Sequence, residues 1–293
     1  MAVDEKTVTK DKLIPQSVDF VEQFNEGLTT LMKVLGITRK QALALGSTVK
    51  IYKSTVTLAD EKVAEGEVIP LSEVKKELSD TKELTFNKWR KNVTAEAIQS
   101  SGFQGAVADT DSELLKAIQK NIKKELFDEF ANGTGKATGA GFQQSLAKGL
   151  GQLAVAFEDE DVTSVALVNP IDFYDYIGSA PVTVQTVFGM TYIQNFLGVN
   201  TLIMSNNVPA GTIYVTASQN LNLYFATLNG GSLSQAFNFT TDQTGLVGIA
   251  HEPKNDSLSY ESVVADALLL LPERLDGIIV STISAEAGTD SPS

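Results

Sequence analysis

The residue types that could support catalysis are few, and the histidine and cysteine counts limit them most. His251 is the only histidine, and the chain has no cysteine. A Ser/His/Asp triad or a histidine-ligated metal would have to include His251, yet the sequence contains no Gly-x-Ser-x-Gly turn. A cysteine nucleophile, a thiolate zinc site and a disulfide framework are excluded. We interpret His251 as a structural or exposed histidine, and we predict no catalytic residue, no metal ligand and no cofactor-binding residue.

Two groups of carboxylates offer alternatives to this interpretation. The run Glu158-Asp159-Glu160-Asp161 offers oxygen ligands for a hard cation, but no loop of calcium-binding spacing follows it, which favours a solvated acidic helix exit. Asp172 and Asp175 could form the carboxylate pair of a glycoside hydrolase. They follow Pro170 in a helix-like segment, where the helix dipole commonly favours acids.

Phosphate binding is the remaining chemistry that residue spacing could indicate. Gly133 to Gly139 contains glycines and Lys136 but lacks the Gly-x-x-x-x-Gly-Lys-Ser/Thr pattern, and it follows a helix where a strand is required. We therefore predict a loop over 133–141. Four lysines lie on one predicted helix: Lys116, Lys120, Lys123 and Lys124. They could face DNA, although an ordinary solvated helix face fits equally well.

The elements that must position these residues are both helices and strands, which predicts an α+β fold. The spacing predicts a helix from Ser17 to Gly36, and a second helix, 111–132, with a capping box of Thr110 and Glu113 and a C-cap at Gly133. A third helix is predicted over 143–157. Strands are predicted at 164–168, 201–204, 212–217, 222–226, 246–250 and 277–283.

Length and composition indicate a large protein without a membrane span. At 293 residues the chain exceeds the usual single-core size, so two domains or long extensions are expected. No apolar run approaches the ~20 residues that cross a bilayer, and the first residues lack a signal-peptide core. The net charge of −13 argues against a general nucleic-acid binder.

The segment from Lys50 to Lys91 has an unusual charge density. It carries 17 charged residues in 42, nine basic and eight acidic. Strands are predicted at 48–57 and 84–93, joined by the turn-rich stretch 64–72. A hairpin with so little core of its own is marginal in water. It is therefore expected to lie on a neighbouring subunit.

The region from Ser145 to Thr244, by contrast, has a low charge density. It contains eight charged residues in 100 but 12 of the 22 aromatic residues of the chain. A monomer's surface usually has a higher charged fraction. The region is therefore expected either to have a very large core or to cover much of its exterior with partners.

The order of these elements resembles the major capsid proteins of tailed bacteriophages with the HK97 fold. The resemblance covers roughly residues 15–285 and rests on the charged hairpin, the long helix, Val165-Ala166-Leu167-Val168-Asn169-Pro170 and the closing segment Tyr260 to Ile279. It implies the following division: an N-terminal arm (1–48), an E-loop (49–92), a P domain (93–144) with spine helix 111–132, an A domain (145–244), a return to the P domain (245–285) and a tail (286–293).

The resemblance also implies function and partners. It implies hexamers and pentamers that form an icosahedral shell enclosing double-stranded DNA, which they contact non-specifically, in a virion assembled in the host bacterial cytoplasm. No segment is left for a scaffolding domain before the arm, so a separate scaffolding protein is expected, with a portal and a decoration protein. Lys62, Lys75 and Lys76 lie in the loop where some relatives carry a crosslinking lysine, but no partner Asn or catalytic Glu can be aligned. An encapsulin-type compartment and a monomeric hydrolase remain as alternatives.

Overall fold

The computed structural model describes the backbone of residues 14–57, 59, 68, 71–158, 161–229, 234, 236–241 and 244–285 and, within them, the side chains of all but 14–23, 53–56, 76 and 79–80. The described helices are α1 (Ile14–Val34), α2 (Ala95–Phe103), α3 (Asp109–Asp128), α4 (Gly141–Ala156) and α5 (Pro170–Ile177). The described strands are β1 (Arg39–Ala42), β2 (Thr48–Thr57), β3 (Glu73–Glu83), β4 (Asn87–Thr94), β5 (Gly135–Ala140), β6 (Ser164–Val168), β7 (Gln185–Val187), β8 (Met190–Phe196), β9 (Val199–Met204), β10 (Thr212–Ala217), β11 (Leu221–Phe225), β12 (Val247–Lys254), β13 (Ser259–Asp266), β14 (Leu268–Pro272) and β15 (Ile278–Ser284).

The strands form a central mixed sheet and three smaller sheets. The central sheet has seven strands in the order β5-β15-β10-β6-β9-β8-β7. Two three-stranded sheets have the orders β1-β11-β14 and β12-β13-β4, and β2 and β3 form a sheet of two. The fold is thus α+β, as predicted.

The central sheet is buried on both faces, and strand β6 shows why. Its alternating side chains divide between two cores: Val165 and Leu167 join the core that contains residues of α1 and α3, whereas Ala166 and Val168 join the core that contains residues of α4 and α5. A strand covered on both sides needs a continuous apolar run rather than polar alternation. The predicted strand at 164–168 is confirmed.

The long helix starts earlier than predicted. A helical run of 38 residues extends from Ala95 to Asn132, with one break at Gly102 (φ 73°, ψ 161°) and a π-helical turn at Gln104–Ala108. The hydroxyl of Thr94 caps its start by accepting a hydrogen bond from the Ala97 amide. Thr110 lies inside the helix, where its hydroxyl donates to the Ala106 carbonyl at 2.7 Å. The predicted capping box at Thr110 and Glu113 is therefore wrong, because the local pattern does not reveal that the preceding residues are also helical.

The C-terminal part of this helix matches the prediction. Its apolar stripe is buried and consists of Leu115, Ile118, Ile122 and Leu126. The helix ends in a 3₁₀ turn, Glu129–Asn132, before Gly133. Gly133 has φ −54° and ψ 132°, so it is not a left-handed cap. Glycine is required there because a Cβ atom would lie 2.7 Å from the Ile278 carbonyl oxygen.

The predicted loop at 133–141 is wrong, since it contains strand β5. This strand pairs in parallel with β15 at the edge of the central sheet. Its small residues give no strand-like pattern, but the packing needs them: a Cβ on Gly139 would lie 2.4 Å from the Ser145 amide nitrogen. Close contact with helix α4 therefore requires small residues at positions where a strand usually has β-branched ones.

The charged hairpin pairs differently from the prediction. Strand β2 confirms the outgoing strand at 48–57, but its partner is β3, with Thr48 opposite Glu83 and Thr57 opposite Glu73. The predicted return strand at 84–93 is wrong as a hairpin partner, because β4 covers most of that segment and pairs with β13 instead. The aromatic residues Phe86 and Trp89 made this segment resemble the returning strand.

The other predicted elements agree with the structure to within a few residues. Helices α1 and α4 confirm the predictions at 17–36 and 143–157, and strands β9, β10, β11, β12 and β15 confirm those downstream. Most of the predicted turn 64–72 and all of the tail 286–293 lie outside the described residues. In the part of the chain that the structure describes, no helix is long and apolar enough to cross a bilayer.

Candidate assembly surface

His251 contacts a buried carboxylate, that of Asp111. Its Nε2 atom lies 2.9 Å from one carboxylate oxygen of Asp111, and Lys91 Nζ lies 2.6 Å from the other. The imidazole also stacks on Tyr260, with ring centroids 5.8 Å apart. Burial by itself raises the pKa of Asp111, but hydrogen bonds from His251 and Lys91 and the charge of Lys91 outweigh it, so the pKa is lowered. The three residues join β4, α3 and β12 in a structural arrangement.

The acidic residues that were considered as ligands or acid/base groups are not brought together. The Asp172 carboxylate accepts a hydrogen bond from the Gly211 amide at 2.7 Å, and Asp175 is exposed. Of the acidic run, Glu158 and Asp161 are exposed, and Asp159 and Glu160 lie outside the described residues. Among the described residues, no group of three histidine or acidic side chains could hold a metal ion.

Sequence reasoning missed one titratable group, Asp266. Its side chain is fully buried at the end of β13, and Asn87 donates a hydrogen bond to its Oδ1 atom at 3.2 Å. Burial, together with the negative charge of Glu125, raises its pKa to about 7, although the bond from Asn87 opposes the shift. No sequence signal distinguishes it, because its surroundings depend on how β4 and α3 pack against β13.

The lysines considered for contact with DNA or for crosslinking have different surroundings. Lys124 pairs with Asp128 at 2.8 Å, one helical turn away, and this carboxylate raises the pKa of Lys124. Lys75 pairs with Glu73 at 3.4 Å on the exposed strand β3. Lys116 and Lys120 are exposed on α3, and Lys123 is half-buried. Lys62 and the side chain of Lys76 lie outside the described residues.

The two-stranded hairpin β2–β3, here called the arm hairpin, has apolar side chains that stay exposed among the described residues of the chain. Tyr52 and Leu78 are opposite each other in the register and are 49% and 54% exposed, and Val74 is 60% exposed. Val68 and Leu71, in the connection between the strands, are 92% and 95% exposed. Ten residues of β2 correspond to ~33 Å of extended strand. This length of uncovered hairpin is the best candidate for an intersubunit contact.

The base of the arm hairpin is fixed to the body of the protein. Leu84 is buried in a small apolar cluster with Ala226 and Ala267. The Gly46 amide donates to the Leu84 carbonyl at 3.0 Å, and Gly46 has a φ of 75°, which favours glycine. Lys82 pairs with Glu129 of the long helix at 2.8 Å. These contacts hold the hairpin at its origin while its outer part extends away from the cores.

Exposed apolar residues also occur in the charge-poor region. Val155 of α4 and Ile171 and Tyr174 of α5 are each more than half exposed. The region has a large core as well, since β6 and β10 are almost wholly buried. The low charge therefore reflects both a large core and apolar exterior positions on two helices.

Sequence comparison finds no match, whereas structure comparison finds similar folds. No protein-family model matches the sequence, and no curated protein matches it. The fold is similar to that of an encapsulin complex from Synechococcus elongatus, with a TM-score of 0.55, 14% identity and coverage of 100% of this chain and 95% of that one. It is also similar to a virus-like particle from Pyrococcus furiosus (TM-score 0.54, 13% identity, 90% and 97% coverage).

A third similar structure is from Mycobacterium phage Patience, with a TM-score of 0.52, 13% identity and coverage of 98% of this chain and 92% of that one. These matches extend over nearly the whole of each chain, so they concern the complete arrangement of elements and not a shared motif. The chain therefore has the HK97-like capsid fold.

Proposed function

We propose that this protein is the major capsid protein of a tailed bacteriophage. It assembles as hexamers and pentamers into an icosahedral shell that encloses double-stranded DNA, and its role is structural rather than catalytic. The arm hairpin is the single observation that carries this proposal, because its exposed apolar residues Tyr52, Val74 and Leu78 have no partner surface among the described residues of the same chain. Contact with a neighbouring subunit would stabilise a two-stranded sheet that is marginal alone.

The domain division implied by the sequence is kept as part of this proposal, except that the E-loop is the arm hairpin without β4, which pairs with β13. The long helix is the spine. A separate scaffolding protein, a portal and a decoration protein are the further partners proposed. The virion is the proposed location, with assembly in the host bacterial cytoplasm.

An encapsulin-type compartment is the second candidate. The observation that favours it is the similarity to the Synechococcus elongatus encapsulin complex over the full length of this chain. Both candidates require a closed protein shell, so they differ in what the shell encloses.

Two measurements test these proposals in sequence. Sedimentation velocity and negative-stain imaging of the purified full chain should show capsomers or shells, and a monomer that persists at high concentration and physiological salt would contradict both candidates. Particles from the natural source should then be treated with nuclease before extraction. Protected duplex DNA of uniform length supports the phage capsid, and protein cargo without DNA supports the encapsulin-type shell.

A further inference from the structure

A cleft of about 330 Å³ lies between the long helix α3 and the end of the central sheet. One wall is formed by Lys120 and Lys123 of α3. The opposite wall consists of the turn after β9 (Ser205 to Asn207), the start of α5 with Tyr174, and the turn between β7 and β8 at Gly189. Of the described residues, no acidic one lines this cleft, although the protein as a whole has a net charge of −13.

The two lysines of the cleft have no neutralising partner among the described residues. Among the described residues, neither Lys120 nor Lys123 has a carboxylate within ion-pair distance, whereas Lys91 and Lys124 each have one. The only polar contact of the Lys123 ammonium group within the described structure is a long one, 3.5 Å, to the Gly189 carbonyl. Burial, and then the positive charge of Lys120, lowers the pKa of Lys123. A bound anion would remove this electrostatic cost.

Neutral hydrogen-bond donors complete the lining. The side-chain amides of Asn206 and Asn207 and the hydroxyl of Tyr174 line the cleft, and none of them has a hydrogen-bond partner within the part of the chain that the structure describes. An anion with several oxygen atoms could accept bonds from these donors and from both ammonium groups.

The walls of the cleft are held in place by packing outside it. Phe188 and Gly189 have φ values of 49° and 69°, as in a two-residue hairpin turn, and the Phe188 ring packs edge-on against Phe24 of α1 at 5.2 Å. The turn at Asn206 and Asn207 is closed by a bond from the Val208 amide to the Ser205 carbonyl, and Asn169 donates to the Val208 carbonyl at 2.7 Å. The backbone of both turns is therefore held in place by contacts outside the cleft.

We propose that this lysine cleft, defined by Lys120, Lys123, Tyr174, Asn206 and Asn207, binds a phosphate group. A phosphate suits it better than a carboxylate, because it carries more acceptor oxygens and up to two negative charges for a site with two cations and three neutral donors. The group can belong to a free phosphate compound or to the backbone of duplex DNA. The DNA source rests on the proposed capsid function, whereas the site itself does not.

Equilibrium dialysis of the full-length protein with radiolabelled orthophosphate tests the site directly. We expect saturable binding by the unaltered protein, at least a tenfold weaker affinity in the double variant Lys120→Gln/Lys123→Gln, and retention of binding in Lys120→Arg/Lys123→Arg. The matched control is Lys116→Gln, which removes one exposed lysine of the same helix outside the cleft and should change affinity less than twofold. Circular dichroism verifies that each variant is folded.

Anisotropy titrations with a duplex DNA, repeated over a range of salt concentrations, distinguish the two sources. If the backbone is the source, the double variant lowers the salt dependence of binding by about two released counterions. If the source is a free phosphate compound, orthophosphate affinity falls while DNA binding is unchanged. Absence of saturable orthophosphate binding, or an equal loss in Lys116→Gln, overturns the site. Sedimentation of the same samples reports shell assembly independently, so failure of the capsid proposal is recognised separately.

Discussion

At the scale of single residues, the only histidine of the sequence takes part in a contact that joins three elements. His251 and Lys91 contact the two oxygens of one buried carboxylate, Asp111, which connects two strands of a three-stranded sheet to the long helix. Lys91 also donates to the Val107 carbonyl at 3.0 Å and to the Thr110 hydroxyl at 2.6 Å. A buried charge with this many partners is costly to leave unpaired.

Replacing Asp111 should therefore destabilise the subunit strongly. Asp111→Ala leaves the largely buried Lys91 ammonium group without its counter-charge and His251 Nε2 without its hydrogen-bond partner, and we expect a loss of ~3–5 kcal/mol in the free energy of unfolding. Asp128→Ala, which removes the exposed partner of Lys124, should cost no more than ~1 kcal/mol by the same urea titration. Because the folded pKa of Asp111 is lowered, its contribution is present above its unfolded pKa of 3.8 and disappears as pH falls through the lower folded value. Similar losses in the two variants would mean that these contacts of Asp111 contribute little.

Asp266 should give the opposite pH dependence. Its folded pKa of about 7 exceeds the ordinary aspartate value of 3.8, so the folded state binds more protons between these values and stability declines as pH rises. The decline is at most ~1.4 kcal/mol per pH unit. Asp266→Asn keeps an oxygen for the Asn87 hydrogen bond but cannot ionise.

Unfolding titrations from about pH 5 to pH 8 measure this effect. The Asp266→Asn variant should lose the decline and be more stable than the unaltered protein at the alkaline end. Asp175→Asn, at an exposed position of α5, serves as the control and should leave the profile unchanged. An unaltered decline in Asp266→Asn would assign the pH dependence to another group.

At the scale of elements, the sequence predicts those whose pattern comes from their own burial and misses those that depend on contacts with distant residues. The stripe of α3 was predictable because apolar residues repeat at the period of a helix, and β6 was predictable because a short continuous apolar run is typical of a strand buried on both faces. Strand β5 was not predictable, because its glycines are required by close contacts with Ile278 and Ser145, which lie on other elements. The lysine cleft was not predictable for the same reason: two lysines on a helix reveal neither the turn opposite them nor the absence of carboxylates there.

Two glycines of helix α4 illustrate how tertiary contacts determine the effect of one substitution. A Cβ on Gly149 would lie 2.9 Å from Cγ2 of Val215 in β10, whereas a Cβ on Gly151 would meet no atom within 4 Å. Gly149→Ala should therefore destabilise the subunit by ~1–3 kcal/mol through overpacking. Gly151→Ala should stabilise it by ~0.5–1 kcal/mol, because alanine loses less backbone entropy in a helix.

Thermal unfolding of the two variants side by side checks whether they change stability in opposite directions. Each serves as the control for the other, since the substitution and the helix are the same. Stabilisation by Gly149→Ala would show that α4 shifts away from the central sheet without cost.

At the scale of the whole molecule, the arm hairpin exposes both charged and apolar side chains. The arm hairpin carries both signs in nearly equal number, and exposed pairs such as Lys75–Glu73 contribute only ~0–1 kcal/mol each. Its exposed apolar residues, among them Tyr52, Val74 and Leu78, are better sources of binding free energy, because burying a large apolar side chain contributes ~1.5–3 kcal/mol. We therefore expect apolar contacts to determine the strength of the arm's attachment and charged contacts to determine its position on the neighbour.

Shortening the arm hairpin tests whether it joins subunits. Tyr52 and Leu78 face each other in the register, so replacing residues 53–77 with Asn-Gly closes the hairpin there with a favourable two-residue turn. The shortened chain keeps buried Ile51, buried Leu84 and the Lys82–Glu129 pair, and its circular dichroism and unfolding temperature should be close to those of the unaltered protein. Sedimentation velocity should show that assembly stops at subunits or isolated capsomers.

A milder variant separates the apolar contribution from the length of the arm. Tyr52→Ser/Leu78→Ser leaves the hairpin intact but removes one exposed cross-strand pair, and we expect shells to form only at higher protein concentration. Lys75→Gln, which removes one exposed ion pair on the same strand, is the matched control and should shift the assembly threshold much less. If the shortened chain forms shells as readily as the unaltered one, the arm hairpin is not the intersubunit contact, and the apolar residues of α4 and α5 become the surface to alter next.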